Sequence, residues 1–346
     1  MQALNQAELE RFAQALAAQE GNIIIVPHTN PDGDAIGSTL GLTRILQNAG
    51  KQVTPVVPNN FPEFLAWVHG SEQIRVFDKQ TEEVKALLNE ATMLICLDFN
   101  QTSRTDEMAE LLETFQGTTV LIDHHPFPQG FTEIQFSHPE YSSTCELVLH
   151  VMKGIGYEKH IDHEAAEALF CGILTDTGSF HHGVSDAQTF RSVSELVELG
   201  VNPEAVSRRV MNNYSANRMQ LMGHCLSECM IIIPELHAAI MWLSLADQHR
   251  FNYQKGDNEG FVNMPLSIKD IYVSAFFTEN DHQVKGSLRS QGDFPVNEIA
   301  NKYFGGGGHL NAAGCEIKDK SLMETVELFK GILKEYAPKL QNVKLD

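Results

Sequence analysis

Carboxylates and imidazoles are the residues with the most chemical potential in this chain, and they come in clusters. His28-Thr29-Asn30-Pro31-Asp32-Gly33-Asp34 follows an apolar run at 22–26, and Asp123-His124-His125 follows another at 118–122. Asp98 closes a third run at 93–97, and Asp176 lies in Leu174-Thr175-Asp176-Thr177-Gly178. Oxygen and imidazole ligands at this density, with no cysteine among them, suit hard divalent ions such as Mn²⁺ or Mg²⁺. A pair of such ions is a recurrent device for phosphate ester hydrolysis.

Each cluster also has a plainer reading. Asp32 and Asp34 could form an Asp-rich helix cap, with Gly37-Ser38 in a first turn whose N–H groups favour anions. Asp98 could cap a turn, but a buried aspartate needs a partner, and bridging two cations would supply one. His124 can offer a ring nitrogen to a metal, and Asp123 can orient a histidine. His125, lying off the metal, can donate to a phosphoryl oxygen or act as an acid. Gly305-Gly306-Gly307-Gly308-His309 reads as a loop whose N–H groups could approach a phosphate. It lacks the lysine of a P-loop, which argues against cradling a nucleoside triphosphate. Arg289, at the end of a predicted strand, could place its guanidinium on the same phosphate.

The elements that must position these residues alternate between strand and helix in the first half. Strands are expected at 22–26, 53–57, 93–97 and 118–122. Helices are expected at 7–19, 35–48, 106–115, 144–152 and 164–175. That alternation predicts an α/β fold with a mainly parallel sheet and flanking helices, whose ligands gather at the carboxyl ends of the strands. Residues 1–185 would form this domain and 186–228 a helical connector. Residues 229–346 would form a smaller α/β domain, with the active site in the cleft between the two.

Composition narrows the class. The chain has 346 residues, 42% hydrophobic and 20% charged, which is ordinary for a globular protein. Its formal net charge of −20 argues against a surface that coats long nucleic acids. The N-terminus does not resemble a signal peptide, and 229–245 is broken by Pro234, Glu235 and His237. The expectation is a cytoplasmic protein without membrane association. Six cysteines without a CxxC pair fit a reducing compartment. His224, Cys225 and Cys229 could be misread as a zinc site, but nothing in the sequence completes it, so they read as structural thiols.

Taken together, His28-x3-Asp32-x-Asp34-Ala35-x-Gly37-Ser38, Asp98, Asp123-His124-His125, Asp176 and Gly305-Gly306-Gly307-Gly308-His309-x3-Ala313-Gly314 resemble the DHH phosphoesterases that carry a DHH-associated C-terminal domain. The resemblance spans nearly the whole chain in the right order. It is strongest to the NrnA-like branch of short oligoribonucleotide hydrolases and 3′-phosphoadenosine 5′-phosphate phosphatases, with relatives acting on pApA or cyclic di-AMP.

The resemblance implies two Mn²⁺ ions, with Mg²⁺ or Co²⁺ as substitutes. One would be held by His28, Asp32 and Asp98, and the other by Asp34, Asp98, His124 and Asp176. It implies attack of a hydroxide on phosphorus, with His125 stabilising the developing charge. Arg289, Gly306, Gly307, Gly308 and His309 would hold a distal phosphate or nucleotide, with Arg104 and Ser38 as further substrate contacts. His181-His182 depart from the residues that relatives tend to carry after the Thr-Gly-x-Phe turn. The expected partners are short RNA oligonucleotides or small nucleotides such as pAp and pApA, not long duplexes, and a homodimer is compatible. A RecJ-like exonuclease, a family II inorganic pyrophosphatase and a non-enzymatic nucleotide sensor are the competing readings.

Overall fold

The computed structural model describes residues 4–181, 183–184, 187–212 and 214–345; His182 and the expected 185/186 junction lie outside them. The chain divides into two compact units, 1–213 and 214–346. Helices expected within one connector are shared between them.

Six strands form a parallel sheet in the first unit: β1 (Ile23–Val26), β2 (Val53–Val57), β3 (Arg75–Val76), β4 (Met93–Leu97), β5 (Thr118–Asp123) and β6 (Ile134–Ser137). Their order is β3-β2-β1-β4-β5-β6. Strands buried on both faces read as continuous apolar runs, which is why 23–26 and 93–97 show no polar alternation. The pleat splits each run between two cores. Ile23, Ile25, Met93, Ile95, Val120 and Ile122 enter one, while Ile24, Val26, Leu94, Cys96 and Leu121 enter the other. Strand order reverses between β1 and β4, so the crevice beyond their carboxyl ends is the topological switch point where open α/β sheets bind ligands. His28 and Asp98 leave the sheet there.

Helices α1 (Gln6–Ala18), α2 (Gly33–Asn48), α3 (Thr81–Glu90), α4 (Ala109–Glu113), α5 (Thr144–Gly154) and α6 (His163–Asp176) complete the sheet unit. The helix expected at 106–115 is a correction. Residues Thr102–Met108 form 3₁₀ turns, and Asp106 adopts φ 48° and ψ −121°, which interrupts any α-helix. The segment serves instead as a brace. Thr29 N–H donates to Arg104 O at 2.7 Å and Thr29 Oγ1 to Asp106 Oδ2 at 2.8 Å, tying it to the loop after β1. Helices α7 (Ala187–Glu198) and α8 (Pro203–Met211) pack Leu196, Val206 and Val210 into the larger core.

Helix α9 (Ala216–Ser227) belongs to the second unit, where Leu221 and Cys225 pack with Met241, Phe261 and Phe276. The sheet here contains β7 (Met230–Ile233), β8 (Ala238–Leu243), β9 (Val273–Asn280), β10 (Gln283–Ser290), β11 (Gly307–His309) and β12 (Ala312–Ile317). Its order is β11-β12-β10-β9-β8-β7, antiparallel except for the parallel β8–β9 pair. Helix α10 (Leu245–Arg250) follows β8. Helices α11 (Val296–Phe304) and α12 (Leu322–Glu335) cover one face through Ile299, Val326 and Phe329. No helix among the described residues is long and apolar enough to cross a membrane.

Candidate metal centre

Helix α2 begins immediately after the loop that carries His28. Asp32 is its N-cap, with Oδ1 accepting from the N–H groups of Asp34 and Ala35, both at 3.0 Å. The capping reading is therefore correct for one oxygen of Asp32. Its Oδ2 lies 3.9 Å from His28 Nε2, and the side chain is 57% exposed. Asp98, the residue after β4, takes φ 65° and is buried. This left-handed backbone is rare outside glycine, and aspartate tolerates it better than most residues.

The two oxygens of Asp98 face different neighbours. Oδ2 lies 3.4 Å from His28 Nε2, and Oδ1 lies 3.7 Å from His124 Nε2. His124 Nε2 also faces Asp176 Oδ2 at 3.5 Å and Asp34 Oδ2 at 4.0 Å. Three overlapping ligand sets result: His28 with Asp32 and Asp98, Asp34 with His124 and Asp176, and Asp98 with His124 and His125. The six residues expected to bind metal converge in one place.

Hydrogen bonds on the far side of each ring fix which nitrogen faces inward. His28 Nδ1 donates to Thr29 O at 2.8 Å, and His124 Nδ1 donates to Tyr141 O at 3.3 Å. A carbonyl can only accept, so each Nδ1 carries a proton and each Nε2 is the atom turned toward the carboxylates, where a neutral ring would offer its lone pair to a cation. Burial would lower the His28 pKa, but Asp98 and Asp32 raise it overall, the mark of carboxylates short of positive charge.

The carboxyl groups register the same deficit. Burial and the charges of Asp98, Asp176 and Asp32 push the Asp34 carboxyl well above its usual range, against a hydrogen bond from Cys145. Burial likewise raises Asp176, with Asp98 and Asp32 adding to it against His124. Burial would also raise Asp98, but His28, His124 and His125 hold it below its usual value. A crowd of carboxylates whose ion-pair partners are histidines fits one or more divalent cations, whose charge would relieve the repulsion.

Sequence reasoning missed the residues that grip Asp34 and Asp98. Ser143 caps α5, and the next two N–H groups, of Thr144 and Cys145, donate to Asp34 Oδ2 at 2.7 Å and Oδ1 at 2.9 Å. Thr144 Oγ1 donates to Asp98 Oδ1 at 2.8 Å. The available signal was the Ser143-x-x-Glu146 capping pattern after a turn. Glu146 is fully buried and accepts from Ser142, Thr189 and Ser192, which tethers the start of α5 to α7.

Asp34 and Asp176 meet because α2 and α6 approach closely at Gly172. A Cβ at Gly172 would overlap the Cys145 sulfur and stand 2.8 Å from Asp34 Oδ1. Gly172→Ala should therefore destabilise the fold by about 1–3 kcal/mol, the scale of overpacking. Gly331→Ala, on α12 with nothing near the added methyl, should be neutral or slightly stabilising. Urea denaturation of both variants checks this; equal stabilities would refute the close-packing account.

His125 stands apart from the backbone carbonyls. Its Nδ1 donates to Asp123 Oδ1 at 2.8 Å, and Asp123 is fully buried. Burial would lower the His125 pKa, but Asp123 and Asp98 raise it overall, while Arg104 opposes them. Arg104 is thus electrostatically near the centre, on the 3₁₀ brace. Ser38 is a correction: it is fully buried in α2, and its hydroxyl donates to Ala35 O at 3.2 Å. A group shut off from solvent in this way is not offered to a substrate.

In the second unit the glycine motif is also corrected. Gly307–His309 is an edge strand, β11, paired with β12, rather than a loop. Gly308 has φ 147°, and a Cβ there would stand 2.7 Å from Ala313 Cα, so glycine is what lets the two strands pair. Directly paired residues share a sheet face. His309 pairs with Ala312, and Ala312 with Arg289, so Arg289 and His309 flank a small residue on one face. Two strand spacings separate them by roughly 10 Å. Burial alone acts on Arg289, lowering its pKa, with no carboxylate to offset it among the described residues.

Residues 22–173 match the DHH family, N-terminal domain, and residues 237–335 match the DHHA1 domain. The chain is 31% identical over 320 residues to the bifunctional oligoribonuclease and PAP phosphatase NrnA of Thermus thermophilus, covering 92% of this chain and 91% of that one. The chain belongs to the DHH phosphoesterase family. It is therefore a hydrolase acting on phosphoester bonds. It is also 25% identical over 300 residues to the NrnA protein of Bacillus subtilis, covering 85% of this chain and 89% of that one. The crystal structure of an exopolyphosphatase-related protein from Bacteroides fragilis superposes with a TM-score of 0.95 at 41% identity, covering 99% of this chain and all of that one.

Proposed function

We propose that this phosphoesterase hydrolyses short oligoribonucleotides and small 3′-phosphorylated nucleotides such as 3′-phosphoadenosine 5′-phosphate, using two manganese ions. The observation that carries the reading is Asp98, a single carboxylate whose two oxygens face two separate histidine–aspartate sets. His28, Asp32 and Asp98 would hold one ion, and Asp34, Asp98, His124 and Asp176 the other. When bound, such ions neutralise the attacked phosphate and acidify a water molecule.

The chain's own residues divide the remaining work. Thr144 and Cys145 fix Asp34 and Asp98 before substrate arrives, so less reorganisation is needed at the moment of reaction. With Nδ1–H on Asp123, His125 retains Nε2 for a phosphoryl oxygen or a leaving group. Asp123 also favours the charged form of His125 that such a contact needs. Arg289 and His309 would take another phosphate of the substrate, with Arg104 near the reacting one. Oligoribonucleotides and PAP are the substrates named for the Thermus and Bacillus relatives.

Length preference tests the reading. A net charge of −20 disfavours long polyanionic strands over most of the surface. Hydrolysis should be fastest on RNAs of about two to five nucleotides and should depend weakly on salt, because each additional neutralised phosphate steepens the slope by about 0.7. A ladder of 5′-labelled RNAs at two ionic strengths measures both, with 3′-phosphoadenosine 5′-phosphate and pyrophosphate in parallel. Equal rates on the shortest and longest RNAs would favour a RecJ-like exonuclease, and dominant pyrophosphate cleavage a pyrophosphatase.

A further inference from the structure

Among the described residues, one other group of potential metal ligands lies far in sequence from the first centre: His224, Cys229 and Asp247. All three belong to the second unit and come from different elements. His224 is in the last turn of α9, Cys229 directly precedes β7, and Asp247 is in the first turn of α10. The local fold fixes each one. Glu228 N–H closes α9 on His224 O at 2.8 Å, and Trp242 N–H donates to Cys229 O at 3.0 Å, holding the turn against β8. Ser244 caps α10, accepting from Asp247 N–H and donating to Asp247 Oδ2.

These caps leave three donor atoms converging on one point. His224 Nε2 lies 2.9 Å from Asp247 Oδ1 and 3.4 Å from Cys229 Sγ, and all three ligand atoms lie within 4.8 Å of one another. Tetrahedral zinc, with N and O ligands at about 2.0–2.1 Å and S at about 2.3 Å, places neighbouring ligand atoms roughly 3.3–3.6 Å apart. The His224–Cys229 separation of 3.4 Å is near that spacing, and the 2.9 Å hydrogen bond between His224 and Asp247 would open by about 0.4 Å to admit an ion.

We propose that His224, Cys229 and Asp247 form a second metal site, selective for zinc-like ions, with water as the fourth ligand. Cys225 is not that ligand, because it packs into the apolar cluster with Leu221 and Phe261. The side chains of His224 and Asp247 are 14% and 20% exposed, which leaves an approach for solvent. A thiolate with an imidazole and a carboxylate suits zinc or cobalt, whereas the all-oxygen-and-imidazole first centre suits harder ions. Metal binding would displace the Cys229 thiol proton, and the ion would staple α9 to the starts of β7 and α10.

Cobalt titration of the manganese-loaded full chain tests this. A thiolate ligand gives a near-ultraviolet sulfur-to-cobalt charge-transfer band, which a centre of oxygen and imidazole ligands cannot produce. The band should appear in the wild type, vanish in Cys229→Ser and persist in Cys145→Ser, whose thiol lies beside the first centre. Hydrolytic activity of Cys229→Ser should match that of the wild type. If Cys229→Ser fails to fold, alkylation of wild-type Cys229 gives an independent readout, and stoichiometric zinc should slow it at least about tenfold. No band in the wild type, a band surviving in Cys229→Ser or lost in Cys145→Ser, or no zinc protection of Cys229 would overturn the site, leaving a capping network alone.

Discussion

Asp98→Asn should lower manganese-supported hydrolysis by at least about 10³-fold, the upper scale for removing one preorganised electrostatic contact to developing charge. The substitution keeps the shape of the side chain and removes its charge. That charge faces His28 Nε2 at 3.4 Å through one oxygen and His124 Nε2 at 3.7 Å through the other. Losing it weakens both proposed metal positions together, so bound manganese should fall for both ions rather than one. Thr144 Oγ1 can still donate to the remaining carbonyl oxygen, so the far-ultraviolet circular dichroism spectrum should be unchanged. Activity within tenfold of wild type at saturating manganese would refute the bridging role. Loss of a single ion with the other retained would assign Asp98 to one position only.

Arg289→Ala and His309→Ala should separate capture from chemistry. Both residues lie in the second unit, flanking Ala312 on one sheet face, and neither belongs to the metal-ligand sets. Arg289 is half-buried, and its Nη1 donates to Leu288 O at 3.0 Å while no carboxylate pairs with it among the described residues, which leaves guanidinium N–H groups for an anionic partner. Removing a hydrogen bond to a charged group costs about 1.5–3 kcal/mol, so KM should rise roughly 10- to 150-fold. Manganese content should stay at the wild-type level, and kcat should change much less than KM. A variant that loses manganese, or whose KM is unaltered, would remove that residue from substrate binding.

The apolar runs and the polar clusters at their ends were legible because both are local patterns. A strand buried on both faces must be continuously hydrophobic, and the next residue in the chain must sit at the sheet's edge. His28, Asp98 and Asp123 could therefore be placed at strand ends from spacing alone, and the βαβ alternation fixed the sheet type. The resemblance to a family supplied what spacing could not, the grouping of these residues into two sets.

Only tertiary structure could decide the rest, because it depends on which distant segments touch. The grip of Thr144 and Cys145 on Asp34 spans 110 residues or more, through N–H groups whose direction is set by the start of α5. Ser38 has the residue type of a phosphate contact, but packing buries it within α2. Four consecutive glycines look like a flexible loop until β12 is found beside Gly307–His309, and then the absent side chain of Gly308 is what permits the strand. His224 and Cys229 lacked a third ligand in the sequence because Asp247 arrives from α10, beyond two intervening strands. Residue type and local period determine what a segment can be; its neighbours across the fold determine which charges it must answer.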